Sequence, residues 1–208
     1  KPMSDKPRML SLDEALERLL RGAAAHAIVQ SEAVSTFDGL GRVLADEVRS
    51  ALDVPPADNS SMDGYALRAA DAARSGALLP VAQRIPAGRM GQRLAGGTAA
   101  RIFTGAPIPP GADAVVMQED CEARDGEVSI RRPPHPGDHI RRAGEDLRLD
   151  QTVLAPGQRL HAAQLGVAAS AGATQLTVFR RLRVALFFTG DEIVLPGQPL
   201  APGQIYNS

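Results

Sequence analysis

The sequence predicts an α+β protein that is mostly β-structure with flanking helices. The 208 residues include 16 prolines and 20 glycines, which is typical of short strands joined by turns and not of a helical bundle. From residue 52 onward, short apolar runs alternate with Pro and Gly turns, whereas helical patterns lie before and after this region. With 44% hydrophobic and 23% charged residues, the chain is globular and long enough for one or two hydrophobic cores.

The N-terminal segment predicts a capped helix. Ser11 stands at the N-cap and Glu14 at the third helical position, which is the capping-box pattern. Apolar residues recur at helical spacing and predict an amphipathic helix over residues 12–24; they are Leu12, Ala15, Leu16, Leu19 and Leu20. A second short helix is predicted over Leu40–Glu47, after the turn at Gly39-Leu40-Gly41.

The middle of the chain predicts a small β-domain. Its candidate strands are Leu78–Val81, Ala99–Phe103 and Ala114–Met117, with Gly126–Arg131 as one side of a hairpin. Helical composition returns at Arg159–Gly172.

The C-terminal segment predicts the start of an α/β domain. Leu182–Phe188 is an apolar run that ends in the polar turn Thr189-Gly190-Asp191-Glu192. A buried strand followed by such a turn is how a parallel α/β domain begins, with ligands bound at the strand's carboxyl end. No second strand of that kind follows before Ser208, so we expect this domain to be truncated.

Composition excludes several classes of protein. A net charge of −1 argues against general nucleic-acid or membrane-surface binding. Cys121 is the single cysteine. Of the four histidines, only His135 and His139 have metal-ligand spacing, and they lie in a Pro-rich segment that cannot form one regular helix, which argues against a histidine metal site. The G-x-S-x-G, P-loop and G-x-G-x-x-G signatures are absent. Without a signal peptide or a membrane-spanning apolar run, a cytoplasmic location is expected.

The polar loop Asp58–Ala66 is the most informative segment. It places carboxylate, amide and hydroxyl groups within six residues, shortly after two prolines, and we expect Gly64 to occupy a position that leaves no room for a side chain. One interpretation is a cluster of Asx-turns that caps a helix at Ala66–Ala73. The other is a site for a hydrated cation or polar substrate, because hard cations prefer oxygen ligands. The loop alone does not decide between them.

Two further polar motifs have competing interpretations. Thr104-Gly105 and Thr189-Gly190 each follow a predicted strand, and each is either an ordinary turn or a cradle for an oxyanion such as phosphate or molybdate. Arg141-Arg142 precedes Glu145-Asp146. These charges either recognise phosphate or carboxylate groups or pair locally on a solvated turn, where they contribute about 0–1 kcal/mol.

Seven stretches, in order along the chain, resemble the molybdopterin molybdenumtransferase family, which comprises bacterial MoeA and the E domain of gephyrin. They are Ser11–Ala15, Gly41–Ala45, Asp58–Ala66, Arg101–Pro107, Ala114–Glu119, Ile140–Asp146 and Phe188–Glu192. Each stretch alone is a weak signal, whereas seven in the family's order are highly specific.

The resemblance implies a function and a set of site residues. Family members insert molybdenum from molybdate into adenylylated molybdopterin with a divalent cation, normally Mg²⁺, and release AMP. The catalytic positions carried over are Asp63, Thr104, Asp146 and Glu192, with Asp63 and Glu192 as metal ligands. The substrate-binding positions are Ser61, Gly105, Arg141, Arg142, Thr189, Gly190 and Asp191. A molybdopterin adenylyltransferase is the implied upstream partner.

The resemblance also implies an architecture. Residues 51–147 form a small β-domain inserted into an elongated dimerisation domain made of 29–50 and 148–178. Segments 9–28 and 182–208 are pieces of the pterin-binding α/β domain. Family members are homodimers with a shared active site, and their chains continue beyond the position of Ser208. We therefore expect this chain to correspond to an N-terminal half that is inactive alone. The alternatives are a dimeric scaffold, as in gephyrin, or an anion-binding module without catalysis.

Overall fold

A computed structural model describes residues 9–207 of the chain. Helix α1 spans Leu12–Ala25, and the predicted capping box is present: the Glu14 amide donates to the Ser11 hydroxyl at 3.2 Å, and the Ser11 amide donates to the Glu14 carboxylate at 2.8 Å. Helix α2 spans Ala162–Ser170, within the predicted helical region. The predictions of these two helices are confirmed.

Short strands make up most of the regular structure, as predicted. In chain order, β1 to β14 are Ser31–Ser35, Val48–Arg49, Asn59–Ser60, Gly64–Leu67, Ala77–Ile85, Ala99–Ile102, Ala114–Met117, Cys121–Arg124, Glu127–Ile130, Ile140–Arg141, Thr152–Leu154, Gln175–Phe179, Ile193–Val194 and Ile205–Tyr206. Single 3₁₀ turns lie at Thr36–Asp38, Ala69–Ala72 and Gln118–Asp120.

A six-stranded sheet positions the candidate site. Its strand order is β7-β4-β6-β5-β9-β8. All neighbouring pairs are antiparallel except β5 and β6, which are parallel. The pairing confirms the three predicted apolar strands and the predicted hairpin, whose two sides are β8 and β9. The short strands β3 and β10 pair with each other. In sequence, β3 lies just before β4, and β10 includes Arg141 at the start of the Arg141-Arg142 motif.

Each face of the six-stranded sheet contributes to a hydrophobic cluster. One cluster includes Tyr65, Leu67, Leu79, Ala99 and Val116. The other includes alternate residues of the same strands, among them Ala66, Ile85, Ala100, Ile102 and Val115. This alternation follows from the strand geometry, in which successive side chains point to opposite faces. Both faces are apolar in their packed regions, so a polar group on either face marks a departure from simple packing.

The chain divides into two compact units. One joins the N-terminal segment up to Gln30 with the segment from Phe179 onward, and the other is Ser31–Val178. Within the larger unit, a third hydrophobic cluster combines Leu44 and Val48 with residues between Leu154 and Val178. The finer division into an inserted domain at 51–147 and an elongated domain stays a prediction.

The predicted helix over Leu40–Glu47 is wrong. Gly41 adopts a φ of +74°, which interrupts a right-handed helix. The amide of Leu44 donates to Gln158 at 2.9 Å, and Val43 and Leu44 form bridges to Arg159 and Val178. Pairing with a segment more than 100 residues away therefore overrides the local helical composition.

The helix suggested at Ala66–Ala73 is also absent. Ala66 and Leu67 belong to β4, where they are fully buried between β6 and β7. Only Ala69–Ala72 turns, as a short 3₁₀ segment. The interpretation of the Asp58–Ala66 loop as a cap for that helix is therefore wrong.

The predicted buried strand at Leu182–Phe188 does not form in this structure. The segment has no assigned strand or helix, and Phe187 is 86% exposed. A strand requires a hydrogen-bonded neighbour, and no described strand pairs with these residues. Ser208, which closes the predicted segment 182–208, lies outside the described residues.

No helix in the described part of the chain is long and apolar enough to cross a membrane.

Candidate functional site

The polar loop and the first Thr-Gly turn meet at Asp63 and Thr104. One carboxylate oxygen of Asp63, Oδ1, accepts from the Thr104 amide at 2.8 Å and from the Thr104 hydroxyl at 2.7 Å. No described residue donates to the other oxygen, Oδ2. The structure thus brings together two predicted catalytic residues that are 41 positions apart, and it fixes one oxygen of the carboxylate while leaving the second available.

Strand register explains this contact. In the antiparallel pair β4–β6, Gly64 faces Ile102 and Tyr65 faces Arg101. Extending that register by one step places Asp63 opposite Phe103, immediately before Thr104. Because alternate residues share a face, Asp63, Tyr65, Arg101 and Phe103 lie on the same face of the sheet. The packed part of that face becomes polar here, at the end of β4.

Hydrogen bonding holds the Asp63 carboxylate in its charged form. The pKa of Asp63 lies below its ordinary value, chiefly because the Thr104 amide and then the Thr104 hydroxyl donate to it; the charge of Arg101 acts in the same direction, and partial burial opposes these effects. Donors that favour the anion lower a carboxyl pKa. Asp63 is therefore a carboxylate at neutral pH, suited to bind a cation or accept a hydrogen bond.

Arg101 braces the backbone around Asp63. Its guanidinium donates to the Gly64 carbonyl at 3.0 Å and to the Gln118 side-chain carbonyl at 2.6 Å, while the Gln118 amide donates to the Asp63 carbonyl at 3.0 Å. The same guanidinium lies 4.6 Å from the centroid of the Phe103 ring and 5.2 Å from that of Tyr65. Arg101 thus links both strands that flank β4 at the site.

The amides of the Thr104-Gly105 turn are engaged within the protein. Besides the Thr104 amide, the Gly105 amide donates to the Ser60 carbonyl at 2.8 Å and the Ala106 amide donates to Phe103 at 2.9 Å. The Thr104 hydroxyl hydrogen points to Asp63. These groups fasten the turn to the polar loop, so they are not free to donate to an oxyanion as the turn's composition suggested.

The predicted substrate-binding residue Ser61 lies on the same loop. Its amide donates to the His139 carbonyl at 3.0 Å, and its side chain is partly exposed. No described residue hydrogen-bonds its hydroxyl. This hydroxyl is the one predicted polar group near Asp63 that combines exposure with freedom from protein partners in the described chain.

The Arg141-Arg142 motif forms local ion pairs through Arg141 and an ion pair with a distant part of the chain through Arg142. Arg141 contacts Asp146 at 2.6 Å and Glu145 at 3.3 Å, whereas Arg142 contacts Asp58 at 2.6 Å. The pKa of Asp58 is lowered first by the hydrogen bond from the Ala143 amide and then by Arg142. Asp58 therefore ties the start of the polar loop to this motif, and the pairing of β3 with β10 continues the connection.

The remaining predicted site residues belong to the smaller unit. Thr189, Gly190, Asp191 and Glu192 are all exposed and form a turn before β13, in which the Ile193 amide donates to the Gly190 carbonyl at 3.2 Å. No described residue hydrogen-bonds the Glu192 carboxylate. Their assignment to the same reaction as Asp63 stays a prediction from the family resemblance.

The described residues fit Mg²⁺ in one particular way. No group of three or more His, Cys, Asp or Glu side chains in the described chain is arranged to hold a metal. Asp63 offers a single carboxylate with one available oxygen. Mg²⁺ in phosphate-transferring sites is commonly held by one or two carboxylates, with waters and substrate phosphates completing its shell. Asp63 suits that mode, whereas an all-protein cage is absent from the residues described.

Sequence reasoning missed Arg84, Arg101, Phe103 and Gln118 at this site. Arg101 and Phe103 are two residues apart in one strand, a spacing that places both on one face. That alternation was the available signal for these two. Arg84 and Gln118 come from neighbouring strands whose register no local pattern reveals.

Replacing Thr104 by valine should raise the pKa of Asp63 toward its ordinary value of about 3.9. Valine keeps the shape but removes the hydroxyl donor, while the amide bond remains, so the rise is partial. A carboxyl whose folded pKa is depressed stabilises the fold above its ordinary pKa, and this contribution disappears as pH falls through the folded pKa. Carbon-detected NMR titration of Asp63 measures the shift.

Thr98→Val is the matched control, because the Thr98 hydroxyl donates to Ala95 at 2.8 Å and not to Asp63. An Asp63 pKa that is equal in the Thr104 and Thr98 variants would contradict the assigned hydrogen bond.

Known proteins resemble this chain over most of its length. Molybdopterin molybdenumtransferase 2 of Mycobacterium tuberculosis is 47% identical over 173 residues, which are 81% of this chain and 43% of that protein. The molybdopterin molybdenumtransferase of Haemophilus influenzae is 36% identical over 201 residues, 96% of this chain and 49% of that protein. The chain thus spans about half the length of the curated relatives it matches.

Structural comparison agrees with the sequence. The crystal structure of the molybdopterin biosynthesis MoeA protein from Pyrococcus horikoshii matches with a TM-score of 0.75 and 39% identity, over 93% of this chain and 51% of that one. Residues 10–172 match the family described as the MoeA N-terminal region (domain I and II). The resemblance inferred from the seven stretches is confirmed, and the chain belongs to the MoeA family.

Proposed function

We propose that this chain takes part in molybdenum cofactor biosynthesis, as the N-terminal part of a molybdopterin molybdenumtransferase. The observation that best supports this proposal is the Asp63 carboxylate, fixed through Oδ1 by both donors of Thr104 and available through Oδ2. The relatives named as molybdopterin molybdenumtransferases support the choice of reaction. Its substrates would be molybdate and adenylylated molybdopterin, supplied by a molybdopterin adenylyltransferase in the cytoplasm, and AMP would be released.

Asp63 has the chemistry that this reaction needs from the small β-domain. Its lowered pKa keeps it anionic, and its fixed orientation removes the cost of immobilising it when substrate binds. Through Oδ2 it would hold Mg²⁺ or orient water beside the phosphoanhydride. Bound Mg²⁺ supplies Lewis-acid stabilisation of the phosphate oxygens. Thr104 acts through Asp63 by holding its carboxylate.

The other predicted residues have supporting roles in this proposal. Asp146 and Arg141 form one charged pair and Asp58 and Arg142 another, so these groups are ordered beside the polar loop before substrate arrives. Ser61 contributes a hydroxyl that no described residue engages. Glu192, with the Thr189–Asp191 turn, would complete the site from the pterin-binding domain as a further metal ligand.

We further propose that the chain forms a homodimer through residues 29–50 and 148–178, with each active site shared between subunits. Phe37 is 93% exposed and Leu40 is 62% exposed in this region, and exposed apolar side chains of this size favour association.

Light scattering of the chain and of a variant lacking residues 182–208 separates this interface from association through the exposed Leu182–Phe188 segment. The shortened chain should remain a dimer, and a monomer would contradict the assignment.

The function is tested by joining residues 9–207 to the C-terminal half of the Haemophilus influenzae relative. We expect this chimera to release AMP from adenylylated molybdopterin in the presence of molybdate and Mg²⁺, and the isolated chain to be inactive. A folded, dimeric chimera without activity, beside an active natural relative, would contradict the proposed function. Turnover by the isolated chain at the relative's rate would contradict the need for a second half.

A further inference from the structure

We propose that Arg84, together with Arg101, binds a tetrahedral oxyanion in the groove that these arginines line with Tyr65, on the face of the sheet that also presents Asp63. The two arginines are aligned across neighbouring parallel strands, β5 and β6, in which Arg84 and Arg101 are register partners. The Arg84 guanidinium lies 4.4 Å from the centroid of the Phe103 ring, and that of Arg101 lies 4.6 Å from the same centroid. One aromatic ring therefore positions two positive charges on the face that presents Asp63.

Among the described residues, Arg84 has no partner for its hydrogen-bond donors. No described carboxylate pairs with it, and no described carbonyl accepts from it. Its guanidinium instead contacts the Phe103 ring. A guanidinium carries five N–H donors in a rigid fork that matches phosphate-like oxyanions. Stacking on an aromatic ring restricts its orientation. Arg84 is thus oriented by the protein yet keeps its full donor capacity.

Arg101 differs, since part of its donor capacity braces the site. It donates to Gly64 and Gln118, and it has no carboxylate partner among the described residues. Its positive charge is therefore not neutralised by a contacting acid, although it also lowers the pKa of Asp63. Arg101 supplies a fixed charge, while Arg84 supplies most of the free N–H groups.

The two arginines line an open groove of about 590 Å³. Its other charged residues are Arg124, Asp125 and Glu127, and Arg124 is paired with Asp125 at 3.2 Å. Positive groups outnumber negative ones, three to two, which favours an anion. The groove has room for a tetrahedral oxyanion and for a larger group attached to it.

This anion site supplies donors that the Thr104-Gly105 turn does not provide. The turn's amides bond to Asp63, Ser60 and Phe103, so an oxyanion at the site needs other donors. Identifying the anion as the phosphate of adenylylated molybdopterin, or as molybdate, rests on the proposed function. Both are tetrahedral oxyanions, and direct binding distinguishes them.

Isothermal titration calorimetry on the 208-residue chain, in phosphate-free buffer, uses AMP, molybdate and adenosine as probes. We expect AMP or molybdate to bind. If AMP is the ligand, adenosine should bind at least about tenfold more weakly than AMP, because it lacks the phosphate. Arg84→Gln should lower the affinity for the anion at least about tenfold, as expected for loss of charge-assisted hydrogen bonds. Arg84→Lys keeps the charge without the fork and should be intermediate.

Arg74→Gln is the matched control. Arg74 is also exposed, and the substitution removes the same charge. Arg74 lies just before Ala77, the first residue of β5, and Arg84 is near the other end of the strand. The seven residue steps from Ala77 to Arg84 span roughly 23 Å. The affinity of the Arg74→Gln variant for the anion should equal that of the unmodified chain.

Three results would overturn the anion site. They are no binding of either anion with a Kd below about 10 mM, an affinity unchanged by Arg84→Gln, and, where AMP but not molybdate binds, equal binding of adenosine and AMP. These measurements require no turnover. An active chimera with Arg84-independent binding overturns the anion site alone, whereas Arg84-dependent binding with an inactive chimera overturns the proposed function alone.

Discussion

Replacing Gly64 with alanine is expected to destabilise the larger unit by about 3 kcal/mol or more. Gly64 lies in β4 between β6 and β7, where it pairs with Ile102 and Met117. A Cβ atom added there would overlap the Val116 carbonyl oxygen and lie 3.1 Å from the Met117 Cα. Both obstacles are backbone atoms of the neighbouring strand, so no side-chain rotation relieves the overlap.

Gly166→Ala is the matched control, measured by urea denaturation beside Gly64→Ala. A Cβ atom at Gly166 has no neighbour within 4 Å, and the residue lies in helix α2. Alanine there should stabilise the protein by about 0.5–1 kcal/mol. Since both variants make the same Gly-to-Ala change in the unfolded chain, the opposite signs isolate the contact at β4. A Gly64 variant as stable as the parent would contradict the described close approach of β4 and β7.

Local patterns predicted the elements whose stabilising contacts are local. The capping box of α1 needs only Ser11 and Glu14, which are three residues apart, and the β8–β9 hairpin pairs neighbours in sequence. The requirement for glycine at position 64 was also visible beside the Asp63 motif. For the capping box and the hairpin, the sequence window contains the partners that decide the structure, whereas the obstacle at Gly64 comes from Val116 in the distant strand β7.

The wrong predictions share a different cause. Leu40–Glu47 and Ala66–Ala73 have helical composition, but their backbone groups pair with residues distant in the chain, such as Gln158 and Val115. Leu182–Phe188 has strand composition and no described partner strand. Propensity cannot reveal which distant segment supplies or withholds a hydrogen bond.

The candidate site also contains residues that could be predicted from the sequence and residues that could not. Family resemblance identified Asp63 and Thr104, and the structure shows their contact. The Arg84–Phe103–Arg101 group was not foreseen, because it depends on the register of the parallel pair β5–β6, which includes an irregularity between Val81 and Gln83. A one-residue change of register would turn Arg84 to the opposite face.

In the chimera, Asp63→Asn is expected to reduce the rate of molybdenum insertion by about 100-fold or more with little change in stability. Asparagine retains an oxygen that accepts from both donors of Thr104, so the loop should keep its conformation. It lacks the negative charge of Oδ2, which in our proposal holds Mg²⁺ or orients water. The rate of AMP release and the urea midpoint, measured on the same preparations, check both parts.

Asp71→Asn provides the matched control for that rate. Asp71 is also a carboxylate whose pKa is lowered, first by its hydrogen bond from Arg68 and then by that from the Gly97 amide, but it lies beyond the other end of β4. This variant should lose some stability and keep its rate of AMP release, the reverse of the Asp63 variant. If Asp63→Asn left the rate unchanged, Asp63 would serve only to fasten the Thr104 turn, and the available oxygen Oδ2 would have no part in the reaction.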